Sequence, residues 1–175
     1  MIAKHAGRTK GSVYAHFESK DDLFLATMEF ILTERRKTVM GLSLDQKGEA
    51  LRVAIRTMCA QAAVEDGWVL LILEYRLYTL RNPKTSPRVR ELYHQLWESL
   101  FVLLLRLAEE SNRSHAEVRT ALEIIRAMPS SLTLEANLRS KPARALKERQ
   151  AIFCSVFDML FPPHGIGQCT RRNTV

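Results

Sequence analysis

The sequence predicts an all-α protein, and three observations lead to that fold class. Glycine and proline are scarce, with 7 and 6 in 175 residues, so few positions force a helix to end. Apolar residues recur every three or four positions over long stretches, which is the spacing of one helix face. No alternation of apolar and polar residues, the pattern of a half-buried strand, persists between the turns. With 46% hydrophobic residues, the chain can form one good core or two small ones that share an interface.

The first 24 residues, MIAKHAGRTKGSVYAHFESKDDLF, have the pattern of the second half of a helix-turn-helix. Ala3 and Ala6 are small residues of a tightly packed first helix, and Gly7 can take the positive φ that ends it. A second helix is predicted from about Thr9 to Phe17, where base-reading side chains lie in such modules. The chain begins inside the first helix, so we expect most of that helix to be missing.

A long helix is predicted to follow from Ser19. Ser19 and Asp22 have the spacing of a capping box, which satisfies free N–H groups in the first turn. Apolar residues then recur at helical spacing through Ile31, and the opposite face is expected to be solvated, with Glu29, Arg35, Arg36 and Lys37. We expect this helix to link the reading head to the rest of the chain, so that its tilt moves the recognition helix.

Further helices are predicted after a break at residues 41–48, over about 46–64, 66–81, 87–111, 114 to beyond 132, and 142–161. The second of these, with the run WVLLILEYRLYTL, is apolar nearly all round, which predicts burial on several sides. Ser86-Pro87 opens the next helix with a capping hydroxyl and a proline at its first position. Ser114 and Glu117 repeat the capping box. Pro129 should kink or split its helix, because the ring removes a hydrogen bond and clashes with the preceding turn.

The charge balance suits an anionic partner, but its distribution is uneven. The net charge is +7 and the pI is about 9.6. Residues 1–40 hold seven Lys or Arg against five Asp or Glu, whereas residues 139–175 hold seven against two. The basic C-terminal part is explained equally well as a solvated face and as a functional one. Pro162-Pro163 stops the last helix, and residues 164–175, which lack periodicity, are expected to be disordered.

Cysteine usage and hydropathy predict a soluble, cytoplasmic protein. Cys59, Cys154 and Cys169 are odd in number and show no CxxC spacing, which favours a reducing compartment. The longest apolar runs have six residues, far below the roughly 20 needed to span a bilayer. No signal-peptide pattern opens the chain. We therefore expect no membrane partner.

Catalytic and metal-binding motifs are absent from the sequence. The five histidines are scattered, without an HExxH pattern. The chain also lacks GxSxG and a phosphate-cradling glycine loop. The sequence therefore predicts a protein that is not an enzyme and that has no cofactor or metal.

The run AGRTKGSVYAHFESKDDLF at residues 6–24 resembles the tetracycline-repressor (TetR) family of bacterial transcription regulators. Eleven residues match the family's pattern in order: Ala6, Gly7, Thr9, Gly11, Val13, Tyr14, His16, Phe17, Ser19, Lys20 and Leu23. The chain departs from the pattern at Arg8, where the family usually has an apolar residue, and in the missing first helix. The first 24 residues, which contain this motif, are about a seventh of the chain. The rest of the resemblance is architectural.

The resemblance implies three segments along the chain. Residues 1–40 would be a partial helix-turn-helix DNA-binding domain with its linking helix. Residues 41–163 would be a larger helical domain for effector binding and dimerisation, and residues 164–175 would be the disordered tail. The partners implied are double-stranded operator DNA, a small-molecule effector and a second copy of the chain.

The resemblance also implies which side chains contact DNA: Arg8, Thr9, Lys10, Ser12, Tyr14, His16 and Lys20. Lys10 and Ser12, near the start of the recognition helix, are the candidates for base edges in the major groove. Thr9 would cap that helix and can reach a phosphate. Lys20, beside the N-terminus of the next helix, would bind a phosphate with help from the helix dipole.

Three of these positions have alternative interpretations. Tyr14 and His16 either bond phosphate oxygens or only pack against Phe17 and Phe24. The Arg8 side chain either extends past its apolar surroundings so that its guanidinium binds a phosphate, or it destabilises the turn of the helix-turn-helix.

An effector pocket among the middle helices is implied by the resemblance, with this lining: Met58, Trp68, Leu71, Glu74, Tyr75, Tyr78, Trp97 and Phe101. Glu74 stands alone in an apolar run and could orient a cationic or hydroxyl-bearing ligand. Alternatively it pairs with one of the nearby arginines Arg76, Arg81 or Arg106. Aromatic residues at helical spacing are also typical of an ordinary core.

A dimer is implied because the last two helices of TetR-like subunits pair into a four-helix bundle. The apolar stripes of those helices are the candidate interface: Leu122, Ile125, Met128, Leu132, Phe153, Val156, Phe157 and Leu160. A two-fold dimer would present its recognition helices to half-sites about 34 Å apart. The alternative is that the stripes only complete the core of one subunit.

The sequence thus predicts a ligand-responsive regulator, a repressor, that binds a palindromic operator as a homodimer and is released by a small effector. The alternative is a truncated helical protein that dimerises or binds a ligand without competent DNA binding. The missing first helix motivates this alternative, since Ala6 and Val13 would have one side of their core uncovered. A start codon upstream of Met1 would remove that objection, and we expect such a start or a truncated sequence instead of natural shortening.

Overall fold

The computed structural model describes residues 15–42, 46–84, 86–109, 113–139 and 142–163. Six helices and no strand form within these ranges, which confirms the all-α prediction. They are α1 (Lys20–Gly41), α2 (Gly48–Val64), α3 (Asp66–Arg81), α4 (Pro87–Ala108), α5 (His115–Arg139) and α6 (Pro142–Leu160). The helix-turn-helix predicted before residue 15 and the tail predicted from residue 164 lie outside the described residues. No described helix combines the length and the apolar character needed to cross a membrane.

The helix starts predicted from capping residues are confirmed. The Ser19 hydroxyl accepts a hydrogen bond from the Asp22 N–H at 3.0 Å, and the Asp22 carboxylate accepts from the Glu18 N–H at 3.1 Å. At the start of α5, the Ser114 hydroxyl accepts from the Glu117 N–H at 3.3 Å, and Glu117 accepts from the Ser114 N–H at 2.8 Å. Each box satisfies N–H groups that the first helical turn leaves free.

At the start of α4 the structure differs from the prediction in one respect. The helix begins at Pro87 as expected, but the hydroxyl of Ser86 makes no capping hydrogen bond. Pro87 already removes one of the N–H groups that such a cap would satisfy.

Packing connects the six described helices around one core. Helix α1 packs mainly on α4, α4 packs on α5, and both α2 and α5 pack on α6. The largest fully buried side chains come from all six of these helices and include Met28, Leu32, Leu51, Ile55, Val69, Leu104, Leu122, Phe153 and Phe157. Burial of this apolar surface is the main stabilising contribution to the fold.

Helix α3 is less buried than its composition predicts. It packs against α2 and α5, and it buries Val69, Ile72 and Tyr75 on that side. Leu70 and Leu80 remain 51% and 78% exposed. The expectation of burial on several sides is therefore wrong for the single chain, because no described helix covers the second face.

The split predicted at Pro129 does not occur, since α5 runs from His115 to Arg139 through the proline. The guanidinium of Arg76 contacts the turn around Pro129, donating to the Arg126 carbonyl at 3.0 Å and to the Ser130 hydroxyl at 3.2 Å. It also donates to the Tyr93 hydroxyl at 3.3 Å. Tertiary contacts from α3 and α4 thus hold the helix where its own ladder loses a hydrogen bond.

Candidate ligand cavity and DNA-reading segment

Two of the seven predicted DNA-contacting residues are described by the structure. His16 and Lys20 are both exposed, and Lys20 is the first residue of α1, directly after its cap Ser19. A cation at a helix N-terminus is not favoured by the helix dipole, but a phosphate bound there would be. The Lys20 ammonium therefore lies where it can bind a phosphate near the N-terminus of α1. The other five, Arg8, Thr9, Lys10, Ser12 and Tyr14, lie outside the described residues.

The first turn of α1 is fixed to the last turn of α3. The ring of Phe24 packs on that of Tyr78 with 5.6 Å between centroids. The Tyr78 hydroxyl donates a hydrogen bond to the Asp21 carboxylate at 3.2 Å. Tyr78, which the sequence assigned to the pocket, therefore positions the helix that follows the reading segment.

A cavity of about 70 Å³ lies farther along α1, between α1, α2 and α4, with Trp68 of α3 at its edge. Apolar side chains supply most of the lining. The residues that line it are Arg35, Thr38 and Val39 of α1, Met58, Cys59 and Ala62 of α2, Trp68 of α3, and Leu96, Trp97 and Leu100 of α4. The cavity is thus bounded by the same helix that carries the reading segment at its other end.

Three residues of the predicted pocket, Met58, Trp68 and Trp97, line this cavity. The remaining ones are placed elsewhere. Leu71 packs half-buried against the core, and Glu74 is exposed on α3. Tyr75 is buried beside Tyr93, with 5.5 Å between ring centroids, and Phe101 is buried with the Arg119 guanidinium 3.6 Å from its ring centroid.

The residues of α1 that line the cavity were not predicted from the sequence. Arg35 was expected on a solvated face, yet its side chain is only 29% exposed and lines the cavity. Thr38 and Val39 follow it at the three- and four-residue spacing of one helix face. That spacing was readable in the sequence, but which neighbour the face meets depends on tertiary packing.

The polar groups around the cavity are mostly engaged. The Arg35 guanidinium forms an ion pair with the Glu65 carboxylate and lies 5.0 Å from the centroid of the Trp68 ring. The Thr38 hydroxyl donates to the Glu34 carbonyl at 3.2 Å. Burial raises the pKa of the Cys59 thiol to about 12, so this thiol stays protonated at neutral pH.

One polar atom of a lining residue is not engaged in this way. The indole N–H of Trp97 is buried and has no hydrogen-bond partner within the described ranges. Most buried polar groups are hydrogen-bonded, because an unsatisfied donor costs free energy. The cavity therefore combines an apolar lining with one engaged cation. Nothing in the described part of the chain brings three His, Cys, Asp or Glu residues together as a metal site.

The predicted dimer residues fall into two groups. Leu122, Ile125, Phe153 and Phe157 are at most 3% exposed and belong to the core of one subunit, so they have almost no surface to give to a second copy. Met128, Leu132, Val156 and Leu160 are half-buried. The exposed apolar side chains of α5 and α6, hereafter the α5–α6 face, are Ile124, Leu134, Leu138, Leu146, Ile152 and Met159.

Comparison with known proteins gives a family match at the N-terminal end. Residues 1–27 match the sequence pattern of a family described as bacterial regulatory proteins, tetR family. This range contains all seven candidate DNA contacts and the first turns of α1. No curated protein matches the chain.

Proposed function

Since this chain belongs to the tetR family of bacterial regulatory proteins, we propose that it is a DNA-binding regulator of transcription. The observation that carries the proposal is the position of the family match. It covers residues 1–27, the segment in which Arg8, Thr9, Lys10, Ser12, Tyr14, His16 and Lys20 were assigned to DNA contact. In this proposal the protein is a repressor that reads base edges through Lys10 and Ser12 and binds phosphates through the remaining contacts.

A small effector controls DNA binding through α1 in this proposal. The helix spans 22 residues, which corresponds to about 33 Å at 1.5 Å per residue. The DNA-reading segment precedes its first turn, and Arg35, Thr38 and Val39 near its other end line the cavity. A ligand that enlarges the cavity would tilt α1 and move the reading segment. Ligand and DNA would then favour different states, so each would weaken the binding of the other.

We also propose that the protein forms a homodimer, with the α5–α6 face as its interface. The exposed apolar residues of this face include Leu138 and Met159, which are 81% and 69% exposed in the single chain. Exposed apolar area of this kind is typical of protein–protein interfaces. A two-fold dimer presents two reading segments to half-sites about one helical turn apart, ~34 Å, which matches a palindromic operator.

Capture of sheared genomic DNA by the purified chain tests the proposal and requires no assumption about the operator sequence. We expect a few fragments that share a palindrome to be enriched. The variant Lys10→Ala should change which fragments are retained. Lys37→Ala removes the same charge from an exposed position on α1 and serves as the matched control, which should retain the same fragments as the original chain.

Two results would contradict the proposal. One is retention of genomic DNA without enrichment of any shared sequence, since phosphate contacts alone bind all sequences. The other is no retention at all, which would favour a helical protein that binds a ligand or dimerises without reading DNA.

A further inference from the structure

We propose that a basic patch at the junction of α3 and α4 is a second DNA-contacting surface, in which Arg81 and Lys84 bind backbone phosphates next to the one assigned to Lys20. The inference rests on the proposed function, because it assigns further contacts in the same complex with DNA. Both residues lie outside the family match at residues 1–27.

The basic patch consists of the four cations in residues 81–90, which are Arg81, Lys84, Arg88 and Arg90. No Asp or Glu occurs in this range, and all four of these residues are exposed. Clustered charges of one sign attract an anionic partner. Duplex DNA carries one negative charge for about every 1.7 Å of its axis, so neighbouring cations can each contact a phosphate.

Two contacts hold the patch beside the first turns of α1. The Tyr78 hydroxyl, which precedes the patch in the chain, donates to the Asp21 carboxylate at 3.2 Å. The Arg88 guanidinium donates to the Glu29 carboxylate at 3.0 Å. Both acceptors belong to the first three turns of α1, and Lys20 is the first residue of that helix. The patch therefore lies at the end of α1 that the reading segment precedes.

Arg81 and Lys84 are the members of the patch that remain available for DNA. Arg88 is engaged by α1, and Arg90 donates to the Pro83 carbonyl at 2.9 Å. The side chains of Arg81 and Lys84 form no hydrogen bond or ion pair with another residue in the described ranges. A phosphate of the DNA backbone would give each of them an anionic partner.

The start of α1 requires added positive charge if it is to approach DNA. Residues 18–29 contain Lys20 as their one cation, against four carboxylates, those of Glu18, Asp21, Asp22 and Glu29. Carboxylates at this place repel phosphates. With the four cations of the patch beside them, five cations stand against four carboxylates. The region around Lys20 therefore has a net positive charge only when the patch is included.

The salt dependence of DNA binding tests the assignment on the full chain. Fluorescence anisotropy measures the affinity for a captured duplex and for a scrambled one over a series of salt concentrations. The variants are Arg81→Gln, Lys84→Gln and the double variant. Lys47→Gln is the matched control, because Lys47 is exposed and precedes α2, shortly after the other end of α1 in the chain. Circular dichroism checks that each variant keeps its helices.

Each single substitution should lower the magnitude of the slope of log affinity against log salt concentration by about 0.9, and the double variant by about twice as much, because each lost phosphate contact releases fewer counterions. The ratio of the affinities for the two duplexes should stay the same, since phosphate contacts carry no sequence information. Lys47→Gln should keep the original slope.

Replacement of single phosphates by uncharged methylphosphonates separates direct contact from attraction at a distance. Where Arg81 or Lys84 binds a phosphate, its replacement should weaken binding by the original chain at least about 5-fold, in keeping with one charge-assisted hydrogen bond. The same replacement should leave the affinity of the double variant nearly unchanged. At least one phosphate of the captured duplex should behave in this way.

The assignment is overturned if the double variant keeps the original slope, if Lys47→Gln lowers the slope as much, or if the ratio of affinities changes. It is also overturned if every methylphosphonate affects the original chain and the double variant equally. If the original chain binds neither duplex, the proposed function fails together with this inference. If the original chain binds and the variants match it, only the contacts of the patch are removed, and DNA binding by residues 1–27 stands.

Discussion

Lys20 stands at the junction between the reading segment and α1. It is exposed and is the first residue of the helix, after the cap formed by Ser19. The exposed Lys20 ammonium can contact a phosphate of the DNA backbone. Such a contact adds affinity for every DNA sequence and carries no information about bases.

We therefore expect Lys20→Ala to weaken binding to all duplexes and to lower the slope of log affinity against log salt concentration by about one unit. Lys10→Ala and Ser12→Ala should instead change the preference among sequences. Fluorescence anisotropy over a series of salt concentrations, with a captured duplex and a scrambled one, measures both effects. An equal loss of affinity in all three variants on both duplexes would show that the assignment of base readers is wrong.

Asp158 forms the main charged connection between α6 and α2. Its carboxylate accepts from Arg56 at 2.8 Å through both oxygens and from Arg52 at 2.7 Å. Arg52 is only 8% exposed and also pairs with Glu49. The hydrogen bonds from Arg56 and Arg52 outweigh the effect of desolvation and lower the pKa of Asp158 below its usual value of 3.8.

Asp158→Asn should lower the free energy of unfolding by about 1 kcal/mol, which is modest because the carboxylate is partly screened by water. The folded pKa is lowered, so the stabilisation by Asp158 is present above about pH 3.8 and is lost as pH falls through the folded pKa. Urea unfolding at pH 7 and at successive steps below pH 4 should show the variant approaching the original chain at low pH. A gap in stability that stays constant down to pH 2 would contradict this explanation.

At the scale of single helices, the start of α5 depends on the Ser114–Glu117 capping box. The backbone and side-chain hydrogen bonds from Ser114 lower the pKa of Glu117. Ser114→Ala removes the hydroxyl that accepts from the Glu117 N–H and should cost about 1 kcal/mol of stability. Ser131→Ala, at an exposed position of the same helix, is the matched control and should change stability by less than about 0.5 kcal/mol.

Chemical denaturation of the two serine variants measures both effects. A loss in Ser131→Ala as large as that in Ser114→Ala would mean that the cap is not what stabilises the helix start.

Helix starts could be predicted from the sequence because capping is a local property. Ser19 with Asp22 and Ser114 with Glu117 lie three residues apart, and each pair satisfies its own helix. The all-α class followed from the scarcity of helix breakers and from periodicity, which are also read over short distances.

Features that depend on contacts between helices could not be predicted in the same way. The absence of a split at Pro129 could not be predicted, because Arg76, distant in sequence, contacts the turn around it. The sequence predicts a solvated Arg35, because nothing near it in sequence reveals Glu65 and Trp68 as neighbours. Of the residues predicted to line a pocket, Met58, Trp68 and Trp97 line the cavity. Large aromatic and sulfur-containing side chains are common both in cores and in pockets, so residue type alone could not separate these three from the others.

At the scale of the whole molecule, the α5–α6 face is the proposed contact between two copies. Leu138→Glu places a charge at a position that is 81% exposed in the single chain. If this face forms the dimer, the variant should be monomeric at micromolar concentrations, because burying an unpaired carboxylate in an interface is costly. Light scattering after size-exclusion chromatography measures the mass directly.

Leu80→Glu is the matched control for this experiment, since Leu80 is 78% exposed on α3, which is not one of the two helices of the proposed interface. It should leave the mass unchanged. A dimer that persists in Leu138→Glu, or one that is lost equally in Leu80→Glu, would place the interface elsewhere.

In the proposed mechanism, the first residues of the chain read DNA and a ligand changes DNA binding by moving α1, which Arg35, Glu65 and Trp68 hold beside the cavity. The most direct test is the affinity of Arg35→Ala for a captured duplex, compared with Arg126→Ala. The second variant loses the same charge from an ion pair within α5. Loosening α1 should weaken DNA binding at least about 5-fold, the lower range of coupling between linked sites, while Arg126→Ala stays close to the original affinity. Equal affinities of the two variants, with both chains folded, would contradict this mechanism.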